Sequence, residues 1–201
     1  HPRDDAGKYL WFSSSGKNSG VSSGSLSCYL PGSHEKVVIV TEGILKATVV
    51  YSLLGGEVSV IGIPGVAVMK SAEGYLDRLD LQGYVFEAYD MDKVTAASDK
   101  ENRKLFDRDP ESLPEDVRKR IKKTIRISQD GEKLRGMIAE HGLPVHPLTW
   151  DFDKGGYWNG EYKGLDDFLL GTGTSVKLLN YIIGKATPAL KIQEYLARCS
   201  A

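Results

Sequence analysis

Apolar positions between residues 36 and 92 alternate between two periodicities. Val37-Val38-Ile39-Val40 is an unbroken apolar run, the pattern of a strand buried on both faces of a parallel sheet. Thr41-Glu42-Gly43 reads as a turn, and Ile44 to Leu54 as a helix with apolar residues at 45, 49, 50, 53 and 54, closed by Gly55-Gly56. Val58–Ile63 reads as a second strand, Ser71–Leu81 as a short helix, and Tyr84–Tyr89 as a third strand running into Asp90. A polar insertion follows, about 93–136. Within it Ser112-x-x-Glu115 resembles a capping box, Pro114 suits a first helical turn, and Val117, Ile121 and Ile125 mark a helix face. Leu134–Glu140 reads as a further helix stopped by Gly142, and Pro144–Trp150 as a fourth strand weakened by two prolines. Lys177–Ile183 and Pro188–Cys199 are helical candidates. This order predicts an α/β fold: a mostly parallel sheet of about four strands with helices on both faces, plus a helical insertion.

Residues 1–35 differ in composition. Tyr9-Leu10-Trp11-Phe12 looks like a short strand, and Ser13–Ser27 is too rich in Ser and Gly to supply core, so it reads as a loop or an arm over the domain. The expected organisation is an arm at 1–35, an α/β domain at 36–170 and C-terminal helices at 171–201. Lys plus Arg number 26 and Asp plus Glu 27, for a net charge of −1. That excludes a globally basic nucleic-acid coat, and leaves room for local patches. No apolar run approaches the ~20 residues needed to cross a bilayer, so no membrane partner is expected. The start has no apolar signal core and no initiator Met, which reads as a trimmed piece of a longer protein. Two distant cysteines, Cys28 and Cys199, make a disulfide framework an unexpected feature and a reducing cytoplasm the expected compartment.

In parallel sheets function collects at the carboxyl ends of strands. Here those ends carry acids: Glu42, then Asp90 and Asp92, then Asp151 and Asp153, with Asp166 and Asp167 beyond. Acids brought to one sheet edge repel one another unless cations are present. Hard oxygen donors with no clustered His or Cys point to Mg²⁺ or Mn²⁺. Such an ion commonly bridges to phosphate oxygens, so a nucleotide or nucleic-acid backbone is the expected substrate class. Asp166 and Asp167 also suit a helix N-terminus, where acids offset the helix dipole. Asp151 and Asp153 also suit a solvated loop.

Val-Ile-Val-Thr-Glu-Gly-Ile-Leu-Lys-Ala, Val-Ile-Gly-Ile-Pro-Gly-Val, Ala-Tyr-Asp-Met-Asp-Lys and Lys-Gly-Leu-Asp-Asp-Phe-Leu, in that order, resemble a TOPRIM domain. More narrowly the chain is similar to the TOPRIM-like domain of the DUF3854 type found in phage, plasmid and mobile-element replication proteins, from about residue 8 to 170. The resemblance implies that Glu42 acts as general base in nucleotide addition or general acid in strand cleavage, and that Asp90 and Asp92 hold the divalent metal. It puts Asp166 or Asp167 where some members carry a later acid near the metal. Lys46, one helical turn past Glu42, is placed to face a phosphate or to be a solvated helix lysine.

Arg118, Lys119, Arg120, Lys122, Lys123 and Arg126 set six positive charges within nine residues. They read either as a solvated helix face or as a salt-sensitive grip on phosphates. Tyr157 and Trp158 are candidates for stacking on bases or for covering core. Ser15-Gly16-Lys17 lacks the outer residues of a phosphate-binding loop, and Gly171-Thr172-Gly173 lacks the third glycine of a dinucleotide fingerprint. The expected function is a primase-like, Mg²⁺-dependent nucleotidyl transfer within a DNA replication protein. Its expected partners are a single-stranded DNA or RNA template, nucleotides, and helicase or other replication modules. The alternatives are a metal-dependent nuclease and a non-catalytic nucleic-acid-binding module. A topoisomerase would need far more chain.

Overall fold

The computed structural model of the chain describes residues 26–79, 82–94, 104–105 and 108–199. The expected strand at Tyr9–Phe12 and the Ser/Gly-rich arm as far as residue 25 lie outside the described residues. Five strands form one sheet: β1 (Cys28–Leu30), β2 (His34–Glu42), β3 (Val58–Ile63), β4 (Tyr84–Glu87) and β5 (Val145–Pro147). Their order across the sheet is β1-β3-β2-β4-β5. All neighbours are parallel except β1, which pairs antiparallel with β3. The α/β expectation therefore holds, with one strand more than expected. The extra strand, β1, is only three residues long, too short for a pattern of period two to stand out in the sequence.

Alternation on the central strands builds two cores. Val37 and Ile39 of β2, Val58 and Val60 of β3, and Tyr84 and Phe86 of β4 face one side. There α1 (Ile44–Leu53), α4 (Leu165–Thr172) and α5 (Ser175–Cys199) cover them through Ala47, Val50, Leu165, Leu169, Ile182 and Ala186. Val38, Val40, Ile61, Ile63 and Val85 face the other side, under Leu76, Leu134, Met137 and Ile138. These come from α2 (Glu73–Leu76) and α3 (Glu115–Glu140). α1 lies close on β3 because position 62 is glycine. A Cβ there would sit 2.7 Å from the Ala47 Cβ and 3.1 Å from the Gly43 carbonyl oxygen. That contact fixes the start of α1 and the turn that carries Glu42.

The helices depart from the expected boundaries in three places. The expected helix Ser71–Leu81 is a single α-turn, α2, between 3-10 turns at Val66–Ala72 and Asp77–Leu79. Gly74 in its middle weakens any longer α-helix. The pieces expected around 117–125 and at 134–140 are one helix of 26 residues, α3. Its buried stripe runs through Thr124, Gly131, Leu134 and Ile138, with Val117 and Ile121 half-buried, and Ile125 is 37% exposed. A spacing of four residues drifts about 40° around a helix at each step, so the 117-121-125 row leaves the contact line that 117-121-124 follows. The two C-terminal candidates are likewise one helix, α5, which runs through Pro188. Ile182 and Ala186, both 0% exposed, hold it to the sheet just before the proline. The Thr187 hydroxyl donates to the Ile183 carbonyl at 2.7 Å. Among the described residues no helix is long and apolar enough to cross a membrane.

One buried charge ties β4, the turn that follows it and α3 together. Glu87, the last residue of β4, is 0% exposed. One of its carboxylate oxygens accepts from the Lys93 ammonium at 2.7 Å and the Tyr89 backbone N–H at 2.7 Å. The other accepts from Arg135 of α3 at 2.8 Å. Burial pulls Lys93 below the ordinary lysine pKa, against the opposing charge of Glu87. Removing one partner from a buried pair leaves the other charge stranded, which typically costs ~3–5 kcal/mol. Glu87→Ala is expected to lower unfolding free energy by that amount in urea titration, and Glu87→Gln by less. A loss under ~1 kcal/mol in Glu87→Ala, well below that range, would mean the network does not anchor the fold.

Candidate active site

The topology creates a crevice at the middle of the sheet. β2 and β4 lie side by side, and their outgoing connections leave in opposite directions: α1 leads from β2 to β3, and α3 leads from β4 to β5. Ligands in open α/β sheets bind at such a switch point, outside the carboxyl ends of the strands. The register pairs Val40 with Glu87, and the Ala88 N–H donates to the Val40 carbonyl at 2.8 Å. Glu42 ends β2 and Asp90 follows β4 by three residues, so both emerge on the same edge of the sheet. Asp92 stands in the 3-10 turn Met91–Val94 just beyond.

Gly43 makes the Glu42 turn possible. Its φ of 90° lies in the region that favours glycine, and its N–H donates to the Ile63 carbonyl at 2.6 Å. α1 then starts at once and carries Lys46 back over the crevice. The Lys46 ammonium donates to both carboxylate oxygens of Asp90, at 2.6 and 2.8 Å. A second ammonium, that of Lys163, lies 2.8 Å from an oxygen of Asp92 and 3.5 Å from an oxygen of Asp90. Lys163 is held there by its own backbone, whose carbonyl accepts from the Met91 N–H at 2.9 Å. Glu42, Tyr89, Asp90, Asp92, Lys93, Lys123, Ile127, Asp130 and Lys163 line one pocket of ≈ 230 Å³.

The fields inside this pocket differ from water. Burial pushes the Glu42 carboxyl above its usual pKa, Asp90 adds to the push, and Lys46 and Lys163 oppose it. At Lys163 burial disfavours the charge. The hydrogen bond and charge of Asp92, aided by Asp90, outweigh it and hold the ammonium above the ordinary lysine range. Burial also raises the Tyr89 phenol, with Glu42, Glu87 and Asp130 adding to the effect. Its hydroxyl is buried with no hydrogen-bond partner among the described residues.

Of the expected site residues, Glu42, Asp90 and Asp92 come together in the pocket, and Lys46 joins them through Asp90. Asp166 and Asp167 open α4 in its first turn. Neither is among the described residues lining the pocket. The Asp166 carboxyl is pushed up by burial and by Asp167, and pulled down by Lys46. Asp151 and Asp153 do other work: they fold their own loop. Asp151 accepts from Asn159 Nδ2 at 2.9 Å and from the Glu161 and Tyr162 N–H groups at 3.0 and 3.2 Å. Asp153 accepts from the N–H groups of Gly155 and Tyr157 at 2.8 and 2.9 Å. Trp158 packs partly buried against the core, while Arg118 pairs with Glu111 and Lys119 with Glu115. No ion pair among the described residues engages Arg120, Lys122, Lys123 or Arg126, and Lys123 reaches the pocket.

The sequence profile of the family described as Domain of unknown function (DUF3854) matches residues 32–176. The chain belongs to this family. No curated protein and no solved structure matches it.

In this DUF3854 chain, sequence reasoning gave no role to Lys163 or to the Glu87–Lys93–Arg135 network. Lys163 stood three residues before Asp166 in a stretch already singled out, so its signal was position. Arg135 carried none, because nothing in a long polar helix marks the one arginine that turns inward. The donors fit a hard divalent cation in kind, since Asp90 and Asp92 offer carboxylate oxygens side by side. Among the described residues no group of three or more His, Cys, Asp or Glu side chains is gathered to hold a metal ion. The ammonium of Lys163 lies between the two aspartates instead.

The raised Glu42 carboxyl has a consequence for stability. A carboxyl whose folded pKa exceeds its unfolded value of 4.5 binds more protons when folded across that window. Its contribution is fully present below the unfolded pKa and is lost as pH rises through the folded one. Glu42→Gln removes that loss. The variant is expected to match or exceed the parent in urea stability at pH 7, with the difference shrinking toward pH 4. A variant that gains on the parent as pH falls would contradict the assignment.

Proposed function

We propose that this DUF3854 chain is a TOPRIM-type catalytic domain of a DNA replication protein, carrying out primase-like, Mg²⁺-dependent nucleotidyl transfer on a nucleic-acid template. The observation that supports the reading best is the meeting of Glu42 with Asp90 and Asp92 at the sheet's switch point, in a pocket whose rim carries Lys123. A divalent ion held by Asp90 and Asp92 would neutralise charge on the transferring phosphate. Glu42 then stands beside the aspartates as the proton-transfer group. Burial moves its pKa upward, the direction that brings a carboxyl toward the neutral range where a general base or acid works best. Lys46 holds Asp90 through both oxygens, which fixes the aspartate's orientation. Of the α3 cations Arg120, Lys122, Lys123 and Arg126, Lys123 lines the pocket, and together they would supply a grip on a phosphate backbone. The cytoplasm, a phage, plasmid or mobile-element context, and helicase or other replication modules as partners belong to this same reading.

Incubation with nucleoside triphosphates, single-stranded template and Mg²⁺ tests the proposal, and labelled primer is the expected product. Cleavage of labelled DNA without synthesis would replace it by a nuclease. Binding without either reaction would reduce the chain to an accessory module. Within the primase reading Glu42→Gln is expected to cut the rate by ~10²–10⁴, and a loss under about threefold in a folded variant would remove Glu42 from the chemistry.

The basic helix makes a separate prediction. Replacing Arg118, Lys119, Lys122 and Lys123 by Gln spares the buried stripe of α3, so the fold is expected to survive. If these side chains grip phosphates, each lost contact should flatten the slope of log K against log salt by roughly 0.7–0.9. Arg118 and Lys119 already have acidic partners on the same segment. Most of the change is therefore expected from Lys122 and Lys123, and an unchanged slope for single-stranded DNA would mark the segment as a solvated face.

A further inference from the structure

Lys163 sits where a cation belongs. Asp90 and Asp92 are the carboxylates that the proposed function assigns to a divalent metal, and the Lys163 ammonium contacts both, at 3.5 and 2.8 Å. With Lys46 on Asp90, two ammoniums engage the carboxylates of Asp90 and Asp92 beside Glu42. A divalent ion added between the aspartates would meet a positive charge already at 2.8 Å from its ligand. One of the two cations must leave. Lys46 is held by two short bonds to Asp90, which is 9% exposed at its side chain, whereas the Lys163 side chain is 54% exposed and open to solvent. Its backbone stays fixed by the hydrogen bond to Met91, so a displaced ammonium remains within a side chain's length of the crevice.

We propose that Lys163 is an exchangeable counter-ion and phosphate ligand. It caps Asp90 and Asp92 when no metal is bound, and metal entry releases it to a phosphate of the nucleic-acid substrate. The inference rests on the metal assignment of the preceding section and adds a coupling to it. Metal and phosphate backbone then assist each other's binding. Each binds best to the state in which Lys163 has let go of Asp92, and such coupling is reciprocal. No bond is made or broken in the exchange; one ion pair gives way to another.

Mn²⁺ binding, followed by the paramagnetic resonance of the free ion, tests the exchange on the full chain without reference to turnover. Lys163→Gln is expected to bind Mn²⁺ about two- to fivefold more tightly than the parent, the size set by a half-exposed ion pair. Lys163→Arg keeps the competing cation and is expected to return toward the parent value. Lys154→Gln removes an exposed charge from the loop that precedes Lys163, and is expected to leave Mn²⁺ affinity unchanged. A short single-stranded oligonucleotide at fixed ionic strength tests the second half. Mn²⁺ is expected to tighten its binding to the parent, and Lys163→Gln to lose at least half of that gain. Unchanged or weaker Mn²⁺ binding in Lys163→Gln overturns the exchange. Tighter Mn²⁺ binding with the full oligonucleotide gain retained overturns the phosphate role. Asp90→Asn with Asp92→Asn distinguishes the deeper failure: if that double variant binds Mn²⁺ like the parent, the metal assignment itself falls, and the exchange with it.

Discussion

A carboxylate with no exposed surface lies under everything the crevice does. Glu87 ends β4 inside the protein, and its charge is tolerable only because Lys93, Arg135 and the Tyr89 N–H fill its hydrogen-bonding capacity. Those partners come from different places: the turn after β4, and the long helix inserted before β5. The carboxylate therefore fixes the path of the chain from Glu87 to Lys93, and Asp90 and Asp92 lie on that path. It also sets where α3 crosses the sheet, and so where Lys123 meets the pocket. Lys93 adds a contact over the face of Trp150, with its ammonium 5.7 Å from the ring centre, which carries the restraint on toward the loop holding Lys163. A hydrophobic substitute for the network could pack as well, but it would not specify the same register between turn and helix.

The central part of the fold was legible because its signals were continuous. Val37 to Val40 are buried on both faces, and an unbroken apolar run says so directly. The parallel order followed from the alternation of such runs with helices, and the parallel order is what brings Glu42, Asp90 and Asp92 to one edge. What could not be read was decided by contacts distant in sequence. α5 continues through Pro188 because the residues before it are anchored on the sheet, and local propensity sees only the missing N–H. α3 is one helix because Leu134, Met137 and Ile138 extend the stripe begun near Thr124, whereas a polar stretch between them reads as a break. Asp151 and Asp153 look like every other strand-end acid in the sequence. Only the hydrogen bonds they receive from their own loop separate them from the pocket.

The pocket's chemistry follows from a balance that neither sign wins. Four acids and three lysines line it, counting Asp130, Lys93 and Lys123 along with the groups at its centre. Burial raises Glu42, Lys46 and Lys163 oppose that rise, and Asp90 and Asp92 stay engaged with the same two cations. Lysine at position 163 contributes to this in a way that arginine could not fully copy. An ammonium is a compact charge on a flexible stem, able to move between partners, whereas a guanidinium prefers a fixed fork.

Among the described residues, the two ends of the sheet bear on how this chain can meet others. β1 and β5 are each three residues long, and Pro147 removes a backbone donor from β5. Short edges interrupted by proline give an incoming extended segment little to pair with. A sheet closed in this way is a poor template for strand addition or for stacking into fibres, and the long central strands stay sequestered behind it. What this chain meets, it would then meet through the helical surfaces that cover both faces of the sheet or through the crevice at its strand ends.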